Sequence, residues 1–168
     1  MLKSKESVLV LVTLLAPAMI SAQQDEVART LANVRALTGD RVIVEAVTTG
    51  ITLVRVTIRR RGSEDLSLTI GPAELEPWIG ESESLLTMKV RVRPDEVAKN
   101  FGPKLGMVDH KFIQLSRETD REVTVVLVTF ADYDEHRVMA TGMTTAQGLM
   151  LIRAMRRGLQ LAQGVESH

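Results

Sequence analysis

Residues 122–131 read EVTVVLVTFA, an unbroken run of strand-forming residue types. Val123, Val125 and Leu127 fall on one face, and Val126, Val128 and Phe130 on the other. A strand apolar on both faces is expected inside a sheet, with cover on both sides. The loop Asp132-Tyr133-Asp134-Glu135 follows, then a short strand at 136–141. After Gly142 comes the strongest helix signal of the chain. Thr144 and Gln147 have capping-box spacing, and Gly148, Leu151, Ile152, Met155, Leu159 and Ala162 form one apolar stripe. Arg153, Arg156 and Arg157 lie opposite the stripe, so this helix is expected to dock across a sheet.

Toward the N-terminus, residues 41–47 (RVIVEAV) and 51–60 (ITLVRVTIRR) read as strands around Thr48-Thr49-Gly50. Residues 66–70 (LSLTI) return after the turn at 61–65. Residues 85–93 (LLTMKVRVR) alternate Met88, Val90 and Val92 with Lys89, Arg91 and Arg93, and residues 111–117 form a weaker strand. Three further helices are expected. One covers 25–38, from the spacing of Val27, Leu31 and Val34 ahead of Gly39. One is short, opens at Gly71-Pro72 and ends or kinks at Pro77, leaving 80–84 as a loop. The third spans 94–103, with Pro94 first, acids next, and Gly102-Pro103 after the end.

The expected fold class is therefore α+β: an antiparallel or mixed β-sheet with a long C-terminal helix packed on it. The strand–turn–strand–helix order recurs after roughly 70 residues, which points to a duplicated unit. Repeated strands followed by a helix resemble the order found in the single-strand-binding PUR and Whirly families. That resemblance implies binding of a single nucleic-acid strand.

Composition argues the other way. The chain has 168 residues, 21 Lys+Arg against 21 Asp+Glu, no Cys and five aromatics. A net charge of zero is not that of a polycation built for nucleic acid, and 45% hydrophobic content excludes intrinsic disorder. The absence of Cys excludes disulfides and cysteine-ligated metals.

Lys3 and Lys5, the apolar run from Val8 to Ala16, Pro17 and the small residues Ser21-Ala22 have the layout of a secretory signal peptide. Residues 1–22 are read as the leader, cleaved near Ala22, and 23–168 as one domain exported to a periplasm or secreted. No segment after the leader is long and apolar enough to span a membrane. Removing Lys3, Lys5 and Glu6 leaves 19 basic and 20 acidic residues, a net of −1.

The sequence offers two clusters for a site. Arg55, Arg59, Lys89, Arg91 and Arg93 are anion-binding candidates, on the premise that strands 51–60 and 85–93 share one face. Their partner would be an acidic polymer, an anionic lipid or an acidic protein. Nucleic acid is set aside, because those strands carry no aromatics to stack on bases. Asp132, Asp134, Glu135 and His136 could hold a divalent cation, against the plainer reading of a solvated turn. No nucleophile or nucleotide motif and no cofactor signature is present, so no catalytic residue is assigned. The function expected from sequence is a non-catalytic binding or structural-interaction domain. The alternatives are a module binding polyanions or lipid headgroups through a basic sheet face, and an enzyme whose site the sequence does not reveal.

Overall fold

The computed structural model describes residues 26–93, 95–106, 110–121 and 123–165, so the leader expected at residues 1–22 lies outside the described residues. The order is β1 (Val27–Arg35), β2 (Arg41–Thr49), β3 (Ile51–Arg59), β4 (Leu66–Ile70) and α1 (Pro72–Thr87). Then come β5 (Val97–Leu105), β6 (Lys111–Asp120), β7 (Val123–Asp132), β8 (Arg137–Met143) and α2 (Thr145–Ala162). Strands β1–β4 form one sheet and β5–β8 a second, each in sequence order with every neighbouring pair antiparallel. This is an α+β fold made of two four-strand meanders, each followed by a helix. Val97 stands 70 residues after Val27, and Lys111 70 after Arg41, matching the repeat seen in the sequence.

The helices are exchanged between the halves. Helix α1, at the end of the first half, packs on β5 and β6; α2 packs on β1, β2 and β3; and the helices touch each other. Their apolar faces meet the inner faces of both sheets in one core. Val44, Val56 and Ile58 come from the first sheet, Ile113, Leu115 and Val128 from the second, and Leu75, Trp78, Ile152 and Met155 from the helices. Helix α2 approaches closely because two positions on its buried side, Gly148 of the stripe and Gly158 beside it, are glycine. A Cβ on Gly158 would lie 2.6 Å from Val54 Cγ2, and one on Gly148 would lie 3.1 Å from Leu86 Cδ1. The capping box is formed as its spacing predicts: Thr144 Oγ1 accepts from Gln147 N at 3.2 Å, and Gln147 Oε1 accepts from Thr144 N at 2.9 Å.

Four expectations need correction. Residues 25–38 are not a helix; Val27–Arg35 is β1, and a bulge between Thr30 and Ala32 shifts the phase of its alternation. The bulge is why Val27, Leu31 and Val34 imitate helical spacing. Helix α1 runs through Pro77 and the supposed loop 80–84 to Thr87, because burying Trp78, Ile79, Leu85 and Leu86 outweighs one lost hydrogen bond. The predicted strand 85–93 is thus divided between the end of α1 and the irregular stretch 88–93. Residues 97–105 form β5 instead of the helix expected at 94–103, since pairing with β6 overrides the local capping signals.

Candidate functional site

Helix α1, with the start of α2 at β7, lies against the inner face of the second sheet, and the outer face carries apolar and polar side chains side by side. Across the four strands, one row on this face reads Phe101, Ser116, Leu127 and Gly142. The next reads Lys104, Gln114, Thr129 and Ala140. Strand β7, expected to be covered on both sides, is covered only on the inside: Val126, Val128 and Phe130 are buried, while Val125 and Leu127 stay half-exposed. Phe101 is 69% exposed and Tyr133 51%.

A bulge in β5 builds this face. Phe101 and Lys104 are three residues apart and would point to opposite sides of a regular strand. The register shift between them turns both outward. The bulge is pinned from two directions. Gln114 Nε2 donates to Gly102 O at 2.7 Å, and the Trp78 indole N–H donates to Pro103 O at 2.9 Å. Lys104 Nζ sits 4.4 Å above the centroid of Phe112, whose ring meets Tyr133 at 5.6 Å in a tilted arrangement. Lys104 thus caps the Phe112 ring, which is only 5% exposed, and Tyr133 extends outward from that ring. Phe101 also walls a groove of about 430 Å³ between β5 and α1, lined by Ser84, Leu85, Met88 and Pro103. Three of the five aromatics thus lie on the outer side of one sheet, while Trp78 and Phe130 are core.

The structure does not bring the sequence's anion candidates together. Arg55 and Arg59 lie on the outer face of β3, where Arg55 pairs with Glu26 at 2.7 Å and Arg59 with Asp65 at 2.7 Å. Lys89, Arg91 and Arg93 lie in the irregular stretch after α1, and Arg93 faces Glu96 at 3.7 Å. There is no common sheet face.

The acidic turn is engaged internally. Asp132, 2% exposed, accepts from Lys111 Nζ at 2.9 Å and from the backbone N–H groups of Asp134 and Glu135. The Lys111 ammonium is the main cause holding its carboxyl below the usual range, against the opposing effect of burial. Asp134 bonds His110 Nδ1 at 3.0 Å, and Glu135 pairs with Arg137 at 3.1 Å. His136 is in the left-handed region at φ 51°, closing the turn. Among the described residues no group of three or more His, Asp or Glu is placed to hold a metal ion. Nor is any described helix long and apolar enough to cross a membrane.

Sequence reasoning missed Phe101, Lys104, Phe112 and Tyr133 as one group. The available signal was the two-sided apolarity of residues 122–131, which advertised an apolar outer face.

No family model matches the chain, and no characterised sequence matches it. Among solved structures it is similar to one described as the plant transcriptional regulator PBF-2. The identity is 10% and the TM-score 0.35, covering 83% of this chain and 84% of the other. It is similar also to WHY1 from Arabidopsis thaliana at 12% identity and TM-score 0.35, covering 83% and 78%. WHY3 from the same plant matches at 13% and 0.29, covering 83% and 82%. At such values the likeness carries no argument for a ligand of this chain. The expectation that set nucleic acid aside is corrected because its physical ground fails: stacking residues are absent from β3 and the 85–93 stretch, but Phe101 and Tyr133 stand exposed at the second sheet.

Proposed function

We propose that this protein binds single-stranded nucleic acid across the outer face of its second sheet. The observation that supports this reading is the pair of open aromatics at one sheet: Phe101 and Tyr133 stand exposed at its outer face, with Lys104 over the buried Phe112 ring that Tyr133 meets. Unpaired bases stack on such rings, each contact contributing about 1–3 kcal/mol, and every base has a face to offer. Lys104, three residues along β5 from Phe101, supplies positive charge beside the stacked bases, while Lys99 is paired with Glu118 at 3.0 Å. A duplex hides its base faces, so the reading requires a preference for single strands.

The test is titration of the full chain with a labelled oligothymidylate of about 16 nucleotides. Phe101→Ala should weaken binding by about tenfold or more at an unchanged melting temperature, and the matching duplex should bind less tightly than the single strand. Equal affinity of wild type and Phe101→Ala would overturn the proposal. With it we propose the export address, supported by the leader-like pattern of residues 1–22.

A further inference from the structure

The register of the first sheet places Arg35 directly opposite Arg41, and Arg41 directly opposite Arg59. Their neighbours Val34, Val42 and Ile58 are buried in the core, so all three arginines stand on the outer face, and all are exposed. Like charges set opposite each other on adjacent strands destabilise a sheet. The carboxylate that serves this row is Asp65, bound to Arg59 at 2.7 Å. Glu45, the nearest acid along β2, is four residues from Arg41 and lies opposite Arg55. The adjoining row offers the exposed Asn33 amide; beyond Ile43, the Thr57 and Ser67 hydroxyls bond each other at 2.8 Å. Among the described residues the three guanidiniums have one bonded carboxylate, Asp65, and the more distant charge of Glu45 acting on Arg59, an arrangement that an oxyanion would complete.

The row is tied to the aromatic face. The Phe101 row ends on β8 at Gly142, whose carbonyl accepts from Leu37 N at 2.8 Å. Leu37 belongs to the short turn that has Arg35 at one end and Arg41 at the other. A strand crossing β5 to β8 at the level of Phe101 therefore leaves the second sheet beside this turn. We infer that Arg35, Arg41 and Arg59 bind the phosphates of the strand whose bases stack on the second sheet. The inference rests on the proposed function and extends it to a second surface.

Three proteins separate the possibilities: wild type, Arg35→Gln/Arg41→Gln and Phe101→Ala, each checked for an intact fold by circular dichroism. Oligothymidylate affinity is measured across a salt series, and the melting temperature is measured at low salt with and without tripolyphosphate. Losing two phosphate contacts should flatten the slope of log K against log salt by about 1.4 and weaken low-salt binding several-fold. The double variant should melt higher than wild type at low salt, and tripolyphosphate should stabilise only the proteins that keep the row. An unchanged slope and affinity in the double variant, with Phe101→Ala defective, would overturn the arginine row and leave the aromatic face standing. If wild type does not bind the oligonucleotide, both readings fall. A row-dependent response to tripolyphosphate in that case would identify an anion site unrelated to nucleic acid.

Discussion

Thr38 Oγ1 and Thr141 Oγ1 lie 2.6 Å apart, joining the turn between β1 and β2 to strand β8, 103 residues along the chain. Around this contact the two sheets are fastened together. Asp40 is 6% exposed and accepts two hydrogen bonds from Arg60, at 3.0 and 2.7 Å, and one from Thr38 at 3.1 Å. Arg60 also donates to Ala140 O at 3.0 Å. A buried carboxylate is tolerable there because each neighbour donates to it.

Asp40→Asn should therefore cost about 2 kcal/mol at neutral pH. The Arg60 hydrogen bonds are the main cause holding the Asp40 carboxyl below its usual 3.8. A depressed folded-state value means the stabilisation is present above the unfolded value and is lost as pH falls through the folded one. Urea unfolding of both proteins at neutral pH and at about pH 3 checks this: the gap should shrink in acid. A gap independent of pH would mean that Asp40 acts by shape alone.

Gly158→Ala sets two effects against each other. Alanine favours helix over glycine by about 1 kcal/mol. Its Cβ, however, would sit 2.6 Å from Val54 Cγ2 and 3.1 Å from Leu31 Cδ1, and a valine methyl on a central strand has little room to yield. The clash should win, for a net loss of about 1–2 kcal/mol measured by denaturant titration.

Leu127 and Val128 are adjacent on β7 but face opposite ways. Leu127→Lys should change stability by no more than about 0.5 kcal/mol, because the outer face is open. Val128→Lys places an unpaired charge in the core, where Val128 is 1% exposed, and should prevent folding. Circular dichroism and soluble yield distinguish the two. Equal damage from both would mean that the outer face is covered.

Thr144→Ala removes one half of the α2 capping box and should lower stability by about 1 kcal/mol. Thr144→Ser should restore most of it, since either hydroxyl can accept from Gln147 N.

The proposed cleavage after Ala22 is tested by the mass of protein recovered from cells. A chain starting at Gln23 is expected, and one starting at Met1 would refute cleavage after Ala22.

Much of the fold was legible in the sequence because its signals are local. Alternation in residues 51–60, the turn formers before 66–70 and the paired Thr144 and Gln147 each specify a conformation over a few residues, and β3, β4 and α2 follow them. The repeat of about 70 residues was legible for the same reason, as an order of elements. The apolarity of 122–131 placed a strand correctly but suggested cover on both faces, where the tertiary structure leaves one open.

Sequence alone determined the fold class, the order of the elements from β6 onward and the capping of the last helix. Only the tertiary structure decided that 27–35 and 97–105 are strands, because edge pairing with β2 and β6 supplies hydrogen bonds that outcompete local helical preference. It alone carried α1 through Pro77, where contact with the second sheet rewards continuing the helix. It alone exchanged the helices between the halves. The candidate surfaces belong to the same category. Phe101 and Lys104 share a face only through a bulge, and Arg35, Arg41 and Arg59 meet only through strand register. Both depend on which residue pairs with which across a sheet, a nonlocal choice settled when the two meanders close on one core.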